Sequence, residues 1–216
     1  MKKIFSFLNN CVSFFLGFLI TVVVFIAYLP FGLIFPTKVI SKHNLTKHKG
    51  KALVACNHYS NLDPIFLLVK FFKLPHKRRF LGKIELKKGI LGYILTSMGI
   101  IFINRGKVDL KAIKTVDKAL KADKKVIIFP EGTRNKSESL EMGEVKSGTI
   151  FFAKKADSAI IPMRIMERIR PFRRTTVIIG EPYKIGDNGA LSTEEEVNVL
   201  EKKFEELKNH SVNMEG

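Results

Sequence analysis

Five short segments of the chain are apolar at nearly every position, and this pattern limits the fold more than any other feature of the sequence. They are Lys51–Cys56, Gly99–Asn104, Lys125–Phe129, Ala159–Ile165 and Thr175–Gly180. Such runs predict β-strands, and a strand without a polar face must be covered on both sides. We therefore expect an α/β fold in which helices cover a mainly parallel or mixed central sheet.

Helical patterns separate these strands, as an α/β chain requires. Apolar residues from Leu110 to Leu120 recur three or four positions apart, which is the spacing of one helix face. The other predicted helices are Pro64–Lys73, Ser147–Asp157 and the amphipathic Thr193–Leu207, with Ser192 or Thr193 as its N-cap.

The N-terminal part of the sequence is uncharged from Ile4 to Thr37, a run of 34 residues. As one straight helix this run would be ~50 Å long, whereas the hydrocarbon core of a bilayer is ~30 Å thick. The segment Cys11–Leu29 suffices for one crossing, and a helix would be interrupted beyond it at Pro30, Gly32 and Pro36. The run predicts an N-terminal hydrophobic membrane helix (one tilted span) or a re-entrant helical hairpin.

A cleaved signal peptide and a buried helix of a soluble domain are the alternatives to a membrane anchor. The apolar run is longer than the apolar region of a signal peptide, and no small-x-small cleavage site follows it. We therefore divide the chain into a membrane anchor over residues 1–37 and a second domain over residues 38–216.

Positive charge dominates the rest of the chain. Lys and Arg outnumber Asp and Glu by 37 to 20, and because residues 191–216 are net acidic, residues 1–190 carry +21. Such a surface favours phosphates in anionic lipids, nucleic acids or phosphorylated substrates. Lysines are denser after the uncharged run than before it, which predicts that the main body lies on the cytoplasmic side of the inner (cytoplasmic) membrane. We expect the basic segment 70–88 to face lipid headgroups.

His58 and Asp63 lie between the first predicted strand and the helix that follows it. The strand ends at Asn57, and Asp63-Pro64 is a typical helix start, with Asp as N-cap and Pro at the first helical position. A turn over residues 59–62 can bring the two side chains together. A carboxylate on one imidazole nitrogen then leaves the other as a general base near neutral pH. The alternative is that Asp63 only caps the helix and His58 is an ordinary loop residue.

Two further polar clusters follow predicted strands, where α/β proteins commonly place their sites. The first is Asn104-Arg105, and the second is Phe129-Pro130-Glu131-Gly132-Thr133-Arg134. Taken singly, each cluster is more typical of solvated charge on a loop. Whether these residues form a functional site depends on whether the fold brings the clusters together.

In combination, these motifs resemble the PlsC-like glycerolphosphate/lysophosphatidate acyltransferase family over roughly Lys51–Pro182. The family's F-P-E-G-T-R motif stands unaltered at residues 129–134. Its N-H-x-S-x-x-D signature is matched by Asn57, His58, Ser60 and Asp63.

Further landmarks of the family occur in the expected order. Its K-x-E-L and G-x-I-x-I-D/N-R block is resembled by residues 82–86 and 99–105, and its last two landmarks by Lys146, Gly148 and Ile161-Pro162. The departures from the family pattern are small and affect the fit of the acceptor at most: Asn135, Val145, Ser147 and Met163.

The resemblance implies a chemistry and a role for each matched residue. Members of the family transfer a fatty acyl group from a thioester, on coenzyme A or acyl carrier protein, to a hydroxyl of a glycerol phosphate. His58 would be the general base, and Asp63 would orient it. The residues implied in binding the acceptor are Lys83, Arg105, Glu131, Gly132, Thr133 and Arg134.

The implied function is acylation of 1-acyl-sn-glycerol 3-phosphate to phosphatidic acid in phospholipid synthesis. The implied partners are acyl-CoA or acyl carrier protein as donor, lysophosphatidic acid as acceptor, and membrane lipids. One group of alternatives changes only the acceptor, to glycerol 3-phosphate, another lysophospholipid or a lyso-ornithine lipid. The others are a lipid hydrolase with the same pair, or a non-catalytic, membrane-tethered module that binds anionic lipid or nucleic acid. With no Trp and four Tyr, the sequence offers few rings for base stacking, so we expect no nucleic acid partner.

Neither a metal nor a prosthetic group is expected. The two cysteines, Cys11 and Cys56, match no disulfide framework and no zinc-ligand spacing. A secreted disulfide scaffold and a structural zinc module are therefore excluded. A thioester is already activated, so its transfer requires no serine or cysteine nucleophile.

Overall fold

The computed structural model describes Phe15, Leu19 and residues 31–71, 78–104, 109–135, 141–187, 189 and 192–212. Its strands are β1 (Thr37–Ile40), β2 (Ala52–Cys56), β3 (Arg78–Lys83), β4 (Ile100–Ile103), β5 (Lys125–Ile128), β6 (Ala159–Ile165) and β7 (Thr175–Ile179). Its helices are α1 (His43–Thr46), α2 (Asp63–Phe71), α3 (Gly89–Ser97), α4 (Leu110–Lys121), α5 (Gly148–Ala156) and α6 (Thr193–Val212), with a 3₁₀ turn over Ile84–Lys87.

The seven strands of the described residues form one sheet in the order β1-β7-β6-β2-β5-β3-β4. Every neighbouring pair is parallel except β6 and β7, which are antiparallel. A sheet of this kind needs apolar residues on both of its faces, and β2, β6 and β7 are buried at every position. The expectation of an α/β fold with a mainly parallel or mixed sheet is confirmed.

Two apolar clusters cover the two faces of the sheet. The first contains Leu45 of α1 and Phe66 of α2, together with Val54 of β2. The second contains Val116 of α4 and Phe204 of α6, with residues of α5 between them. Helices therefore flank the sheet on both sides.

The five strands predicted from apolar runs are present, with bounds that differ by a residue or two. The N-cap of α6 is Ser192, whose Oγ accepts from the backbone N–H of Glu195 at 3.1 Å while the Glu195 carboxylate accepts from the Ser192 N–H. This reciprocal pair is a capping box, and it fixes where the helix begins.

Strand β3 was not expected, and it lies within residues 70–88, the segment predicted to face lipid headgroups. It lies between β5 and β4, with Phe80 and Leu81 buried. Arg78 and Arg79 are half-buried in it, and burial lowers the pKa of the Arg78 guanidinium to about 10. Arg78 and Arg79 are thus partly enclosed by the sheet, whereas Lys83, Lys87 and Lys88 are exposed, and the contact of this segment with lipid headgroups stays a prediction.

Most of the predicted membrane anchor, residues 1–14, 16–18 and 20–30, lies outside the described residues. Residues 31–34 are helical, and Phe31 and Phe35 pack against the first apolar cluster. Strand β1, which begins at Thr37, adds the following segment to the edge of the sheet. No helix within the described ranges combines the length and the apolar character needed to cross a membrane.

Candidate active site

Four adjacent parallel strands end at one edge of the sheet, and the polar motifs follow them there. The strands are β2, β5, β3 and β4, and the carboxyl ends of parallel strands are where open α/β sheets form their crevices. His58 follows β2, and Glu131 follows β5. Lys83 is the last residue of β3 and pairs in register with Ile103 of β4. The fold thus brings three separate motifs to the same edge.

His58 and Asp63 are in direct contact. Nδ1 of His58 lies 2.9 Å from Oδ2 of Asp63, whose side chain is 0% exposed. The same Oδ2 accepts from the backbone N–H groups of Tyr59 and Ser60 at 2.6 and 2.8 Å, and Oδ1 accepts from the Ser60 hydroxyl at 2.9 Å. These bonds fold the 59–62 turn around the carboxylate and anchor it at the start of α2.

The contact decides which imidazole nitrogen remains available. An ionised carboxylate only accepts hydrogen bonds, so Nδ1 of His58 is the donor in this pair and Nε2 keeps its lone pair. The ring stacks on Phe129, with centroids 4.1 Å apart and planes at 21°, and its side chain is 14% exposed. The imidazole is thus fixed in place, with Nε2 free to take a proton.

Glu131 connects three loops at this edge. It is 4% exposed, and its two oxygens accept from the backbone N–H groups of His58 at 2.8 Å and Gly143 at 2.9 Å. A Cβ at position 143 would lie 2.9 Å from Oε2 of Glu131, so glycine permits this approach. In the structure Glu131 braces the loop that carries His58, and its role in binding an acceptor stays a prediction.

Burial also gives Glu131 a distinctive effect on stability. Desolvation raises the pKa of its carboxyl above the ordinary value of 4.5, although the two backbone hydrogen bonds oppose the shift. A carboxyl whose pKa is raised by folding stabilises the fold below its unfolded-state pKa, and that contribution is lost as pH rises through the folded-state pKa.

Glu131→Gln should remove this titration while keeping the shape of the side chain. We expect the free energy of unfolding of the wild type, minus that of the variant, to fall as pH rises from 4.5 through the raised pKa. Urea denaturation over a pH series measures this difference. A difference that grows with pH would contradict the assignment.

The remaining predicted binding residues lie at the same edge and face solvent. Gly132 adopts a left-handed conformation (φ +70°), which turns the chain after Glu131. Thr133 and Arg134 are exposed, as is Lys83. The next residue, Asn135, donates its backbone N–H to the His58 carbonyl at 2.7 Å. This loop is therefore joined directly to the His58–Asp63 pair, which we call the dyad.

Arg105, the sixth residue predicted to bind the acceptor, lies outside the described residues. Strand β4 ends at Ile103, beside Lys83, and Asn104 donates its backbone N–H to Asp109 at 3.1 Å. The role of Arg105 therefore stays a prediction from the sequence.

Three residues shape the site in ways that sequence reasoning did not assign. The Asn57 amide donates to the Ile165 carbonyl at 2.9 Å and accepts from its N–H at 2.8 Å, joining the ends of β2 and β6. Phe129 supports the imidazole, and Gly143 completes the bracing of the loop by Glu131. Asn57 and Phe129 stand within recognised motifs, whereas nothing in the sequence around Gly143 indicated its partner.

An apolar pocket of about 560 Å³ opens beside this edge, on the face of the sheet covered by α4 and α5. Its lining includes Phe129, Gly132 and Gly148, the first residue of α5. Most of its wall is hydrocarbon, from Leu81, Ile103, Ile113, Ile128, Phe151 and Phe152. Such a lining suits a hydrocarbon chain rather than a polar ligand.

Other reactive groups near the dyad are few in the described part of the chain. Cys56 is fully buried, and burial, with the nearby carboxylates Asp63 and Glu131, raises the pKa of its thiol well above the ordinary value. A protonated, buried thiol is a poor nucleophile. No cluster of three or more His, Cys, Asp or Glu side chains suited to a metal ion occurs among the described residues.

Comparison with known proteins agrees with this geometry. The protein is similar to the 1-acyl-sn-glycerol-3-phosphate acyltransferase of Bacillus subtilis (29% identity, covering 80% of this chain and 88% of the relative). It is also similar to the probable 1-acyl-sn-glycerol-3-phosphate acyltransferase of Mycoplasma genitalium (32% identity, 60% of this chain and 49% of the relative). It therefore spans about half the length of the Mycoplasma relative, and likewise 48% of the yeast enzyme of the same name.

The fold is shared with a solved structure. The crystal structure of the 1-acyl-sn-glycerophosphate (LPA) acyltransferase PlsC from Thermotoga maritima aligns with a TM-score of 0.63 and 21% identity, covering 92% of this chain and 81% of that one. A family model described as Acyltransferase matches residues 37–166, a range that includes the dyad, the 129–134 loop and the first six strands. Because this match covers more than half of the sequence, the chain belongs to the acyltransferase family.

Proposed function

We propose that the protein transfers a fatty acyl group from an acyl thioester to the free hydroxyl of 1-acyl-sn-glycerol 3-phosphate, which makes phosphatidic acid. The observation that carries the proposal is the contact between His58 and a buried, fully hydrogen-bonded Asp63. The names of the relatives support this acceptor. The apolar pocket beside the dyad supports a substrate with a long hydrocarbon chain.

The proposed reaction needs one proton acceptor and no covalent enzyme intermediate. Nε2 of His58 removes the proton as the acceptor hydroxyl oxygen attacks the thioester carbonyl carbon. The tetrahedral intermediate then collapses, its carbon–sulfur bond breaks, and the leaving thiolate takes the proton from the imidazolium. Asp63 stabilises the imidazolium between these steps through the 2.9 Å contact with Nδ1.

The neighbouring hydroxyl and thiol have other roles. The Ser60 hydroxyl donates to Oδ1 of Asp63, so it positions the carboxylate rather than attacking the substrate. Cys56 is buried in β2 and its pKa is raised by burial, which keeps it protonated. Direct transfer from thioester to hydroxyl is therefore favoured over a two-step route through an acyl-enzyme.

The acceptor's phosphate requires fixed positive charge near the dyad. Arg134 directly precedes Asn135, whose backbone N–H donates to the His58 carbonyl. It makes no ion pair with an acidic side chain in the described ranges. A guanidinium binds phosphate through two parallel hydrogen bonds. Lys83 at the end of β3 supplies a second cation, and Arg105 is proposed as a third.

Arg134→Ala should raise the KM for lysophosphatidate by about 10- to 100-fold, since a hydrogen bond to a charged group contributes about 1.5–3 kcal/mol. The matched control is Lys118→Ala, which removes one exposed positive charge near the far end of α4. Steady-state kinetics with lysophosphatidate and with an uncharged acceptor distinguish the two effects. An equal change in KM for both acceptors would exclude a phosphate contact.

The acceptor resides in lipid, so we place the enzyme at the inner (cytoplasmic) membrane with its catalytic domain on the cytoplasmic side. The uncharged run from Ile4 to Thr37 and the net charge of +21 over residues 1–190 support this location. Acyl-CoA and acyl carrier protein both reach that side, and both are acidic donors suited to a basic surface.

A matrix of donors and acceptors tests the proposal directly. Purified protein in mixed micelles is given acyl-CoA or acyl carrier protein thioester, with lysophosphatidate, glycerol 3-phosphate, lyso-ornithine lipid or no acceptor. The proposal predicts phosphatidate as the main product. A preference for another acceptor, or thioester hydrolysis that needs no acceptor, would contradict it.

A further inference from the structure

The segment that follows β3 exposes an unusual amount of hydrocarbon. Ile90 is 81% exposed and Leu91 54%, and they belong to a group of large exposed side chains in the 3₁₀ turn and α3: Leu86, Ile90, Leu91, Tyr93 and Ile94. Isolated exposed apolar residues are normal, but five within nine positions concentrate exposed hydrocarbon on one short segment. We call these five residues the α3 patch.

The exposure follows from how α3 is packed. Gly92 is the only residue of α3 that is buried, and a Cβ there would lie 2.2 Å from the backbone of Lys87. The helix therefore rests its glycine directly on the preceding turn, which leaves Ile90, Leu91, Tyr93 and Ile94 exposed. Met98, just after the helix, returns the chain to the first apolar cluster. Hydrocarbon exposed in this way needs an apolar partner.

The position of the patch ties it to the active site. The 3₁₀ turn begins at Ile84, directly after Lys83, at the same edge of the sheet as His58. The helix then runs back along the sheet so that β4 can begin at its opposite edge. The start of the patch thus lies on the side of the molecule where a lipid acceptor must enter.

The charges around the patch indicate which partner covers it. Lys83, Lys87 and Lys88 are exposed, and none of them forms an ion pair with an acidic side chain among the residues described. Glu85 is the only acidic residue between Arg78 and Ser97. Hydrocarbon flanked by lysines is the pattern of surfaces that insert between anionic headgroups.

We propose that the α3 patch inserts into the headgroup–acyl boundary of an anionic bilayer and holds the entrance of the active site against the lipid. The proposal rests on the proposed function in one respect, namely that the acceptor comes from the membrane. It adds a membrane contact that is separate from the N-terminal uncharged run. An acceptor would then reach His58 without crossing water.

Because the sequence contains no tryptophan, a single introduced indole reports the depth of one position. We choose Ile90→Trp in the full chain, reconstituted into vesicles of phosphatidylglycerol and phosphatidylcholine with brominated acyl chains. The matched control is Lys118→Trp, since Lys118 is exposed and lies near the end of α4 that is remote from the active-site edge. Bromine quenches only an indole that enters the bilayer. We expect strong quenching at position 90 and none at position 118.

The contribution of the lysines beside the α3 patch is tested in the Ile90→Trp protein. Removing Lys87 and Lys88 by alanine should weaken insertion by a factor of about five for each lysine. The control pair, Lys111→Ala with Lys114→Ala, removes the same charge from α4 and should leave the quenching of Trp at position 90 unchanged. An equal loss in both pairs would show a general charge effect and overturn the assignment of these lysines.

Two results would overturn the proposal itself. One is an indole at position 90 that stays unquenched in brominated vesicles. The other is an indole that is already shielded without lipid in a protein that sediments as a dimer, because a second copy would then cover the patch. The quenching measurement does not require catalysis. If position 90 enters the bilayer but the protein does not acylate lysophosphatidate, the proposed function is contradicted, whereas the proposed membrane contact is not.

Discussion

We expect His58→Ala to lower the rate of acyl transfer by about 10²–10⁴-fold, the usual contribution of a general base. Nε2 of His58 is the proposed proton acceptor, and no other imidazole among the described residues contacts Asp63. Because His58 is not proposed to bind either substrate, the KM values should change little. Release of the thiol from the donor, followed with a thiol-reactive dye, measures the rate.

His43→Ala is the matched control, since His43 is an exposed histidine of α1. It should retain full activity. Circular dichroism and thermal unfolding of both variants establish that the fold persists. If His58→Ala transferred acyl groups as fast as His43→Ala, the imidazole would not be the base.

Asp63→Asn is expected to have the second largest effect, on activity and on stability together. The carboxylate accepts from Nδ1 of His58, from two backbone N–H groups and from the Ser60 hydroxyl. An amide replaces one acceptor oxygen with a donor, so at least one buried donor loses its partner. We expect a rate loss of about 10²–10⁴-fold and a loss of roughly 1–3 kcal/mol in the free energy of unfolding.

Ser60→Ala separates these two contributions. It removes the hydroxyl that donates to Oδ1 of Asp63 and accepts from the Leu62 backbone N–H at 3.1 Å. Each lost hydrogen bond costs roughly 0.5–1.5 kcal/mol, and the contact between Asp63 and His58 stays intact. Chemical denaturation and single-turnover kinetics on both variants are the measurements. If the Asp63→Asn variant were destabilised but kept full activity, Asp63 would act only as a helix cap and not as the partner of the base.

The contact between His58 and Asp63 could be predicted from the sequence because it depends on where one strand ends and the next helix begins. A strand ends at Cys56, and a helix starts at Asp63-Pro64, so the intervening residues must turn. In the structure the carboxylate caps that turn and contacts the imidazole at once. The alternatives considered for the sequence, a helix cap or a base partner, are not exclusive in this geometry.

Strands β1 and β3 were missed because neither is a continuous apolar run. Strand β3 reads Arg-Arg-Phe-Leu-Gly-Lys, and only its centre is buried; tertiary packing rather than composition makes it a strand. Strand β1 falls at the end of the uncharged run, where the hydrophobic pattern favours a helix. The antiparallel pairing of β6 and β7 depends on the order of strands in the sheet, which no local pattern specifies.

Sequence reasoning also could not separate binding residues from bracing residues in the 129–134 loop. Glu131 and Arg134 stand three positions apart in one motif, yet Glu131 is buried on backbone N–H groups while Arg134 faces solvent. The partner that distinguishes them, Gly143, is 12 residues away from Glu131. Such a contact is set by the path of the loop rather than by residue type.

The most direct test of the central claim is the stoichiometry of the reaction of the wild-type protein. Thiol release and phosphatidate formation are measured in the same sample, with and without lysophosphatidate. Direct transfer by the His58–Asp63 pair predicts one phosphatidate for each thiol and no thiol release when the acceptor is omitted. Thiol release that continues unchanged without acceptor, with free fatty acid as the product, would show a hydrolase instead.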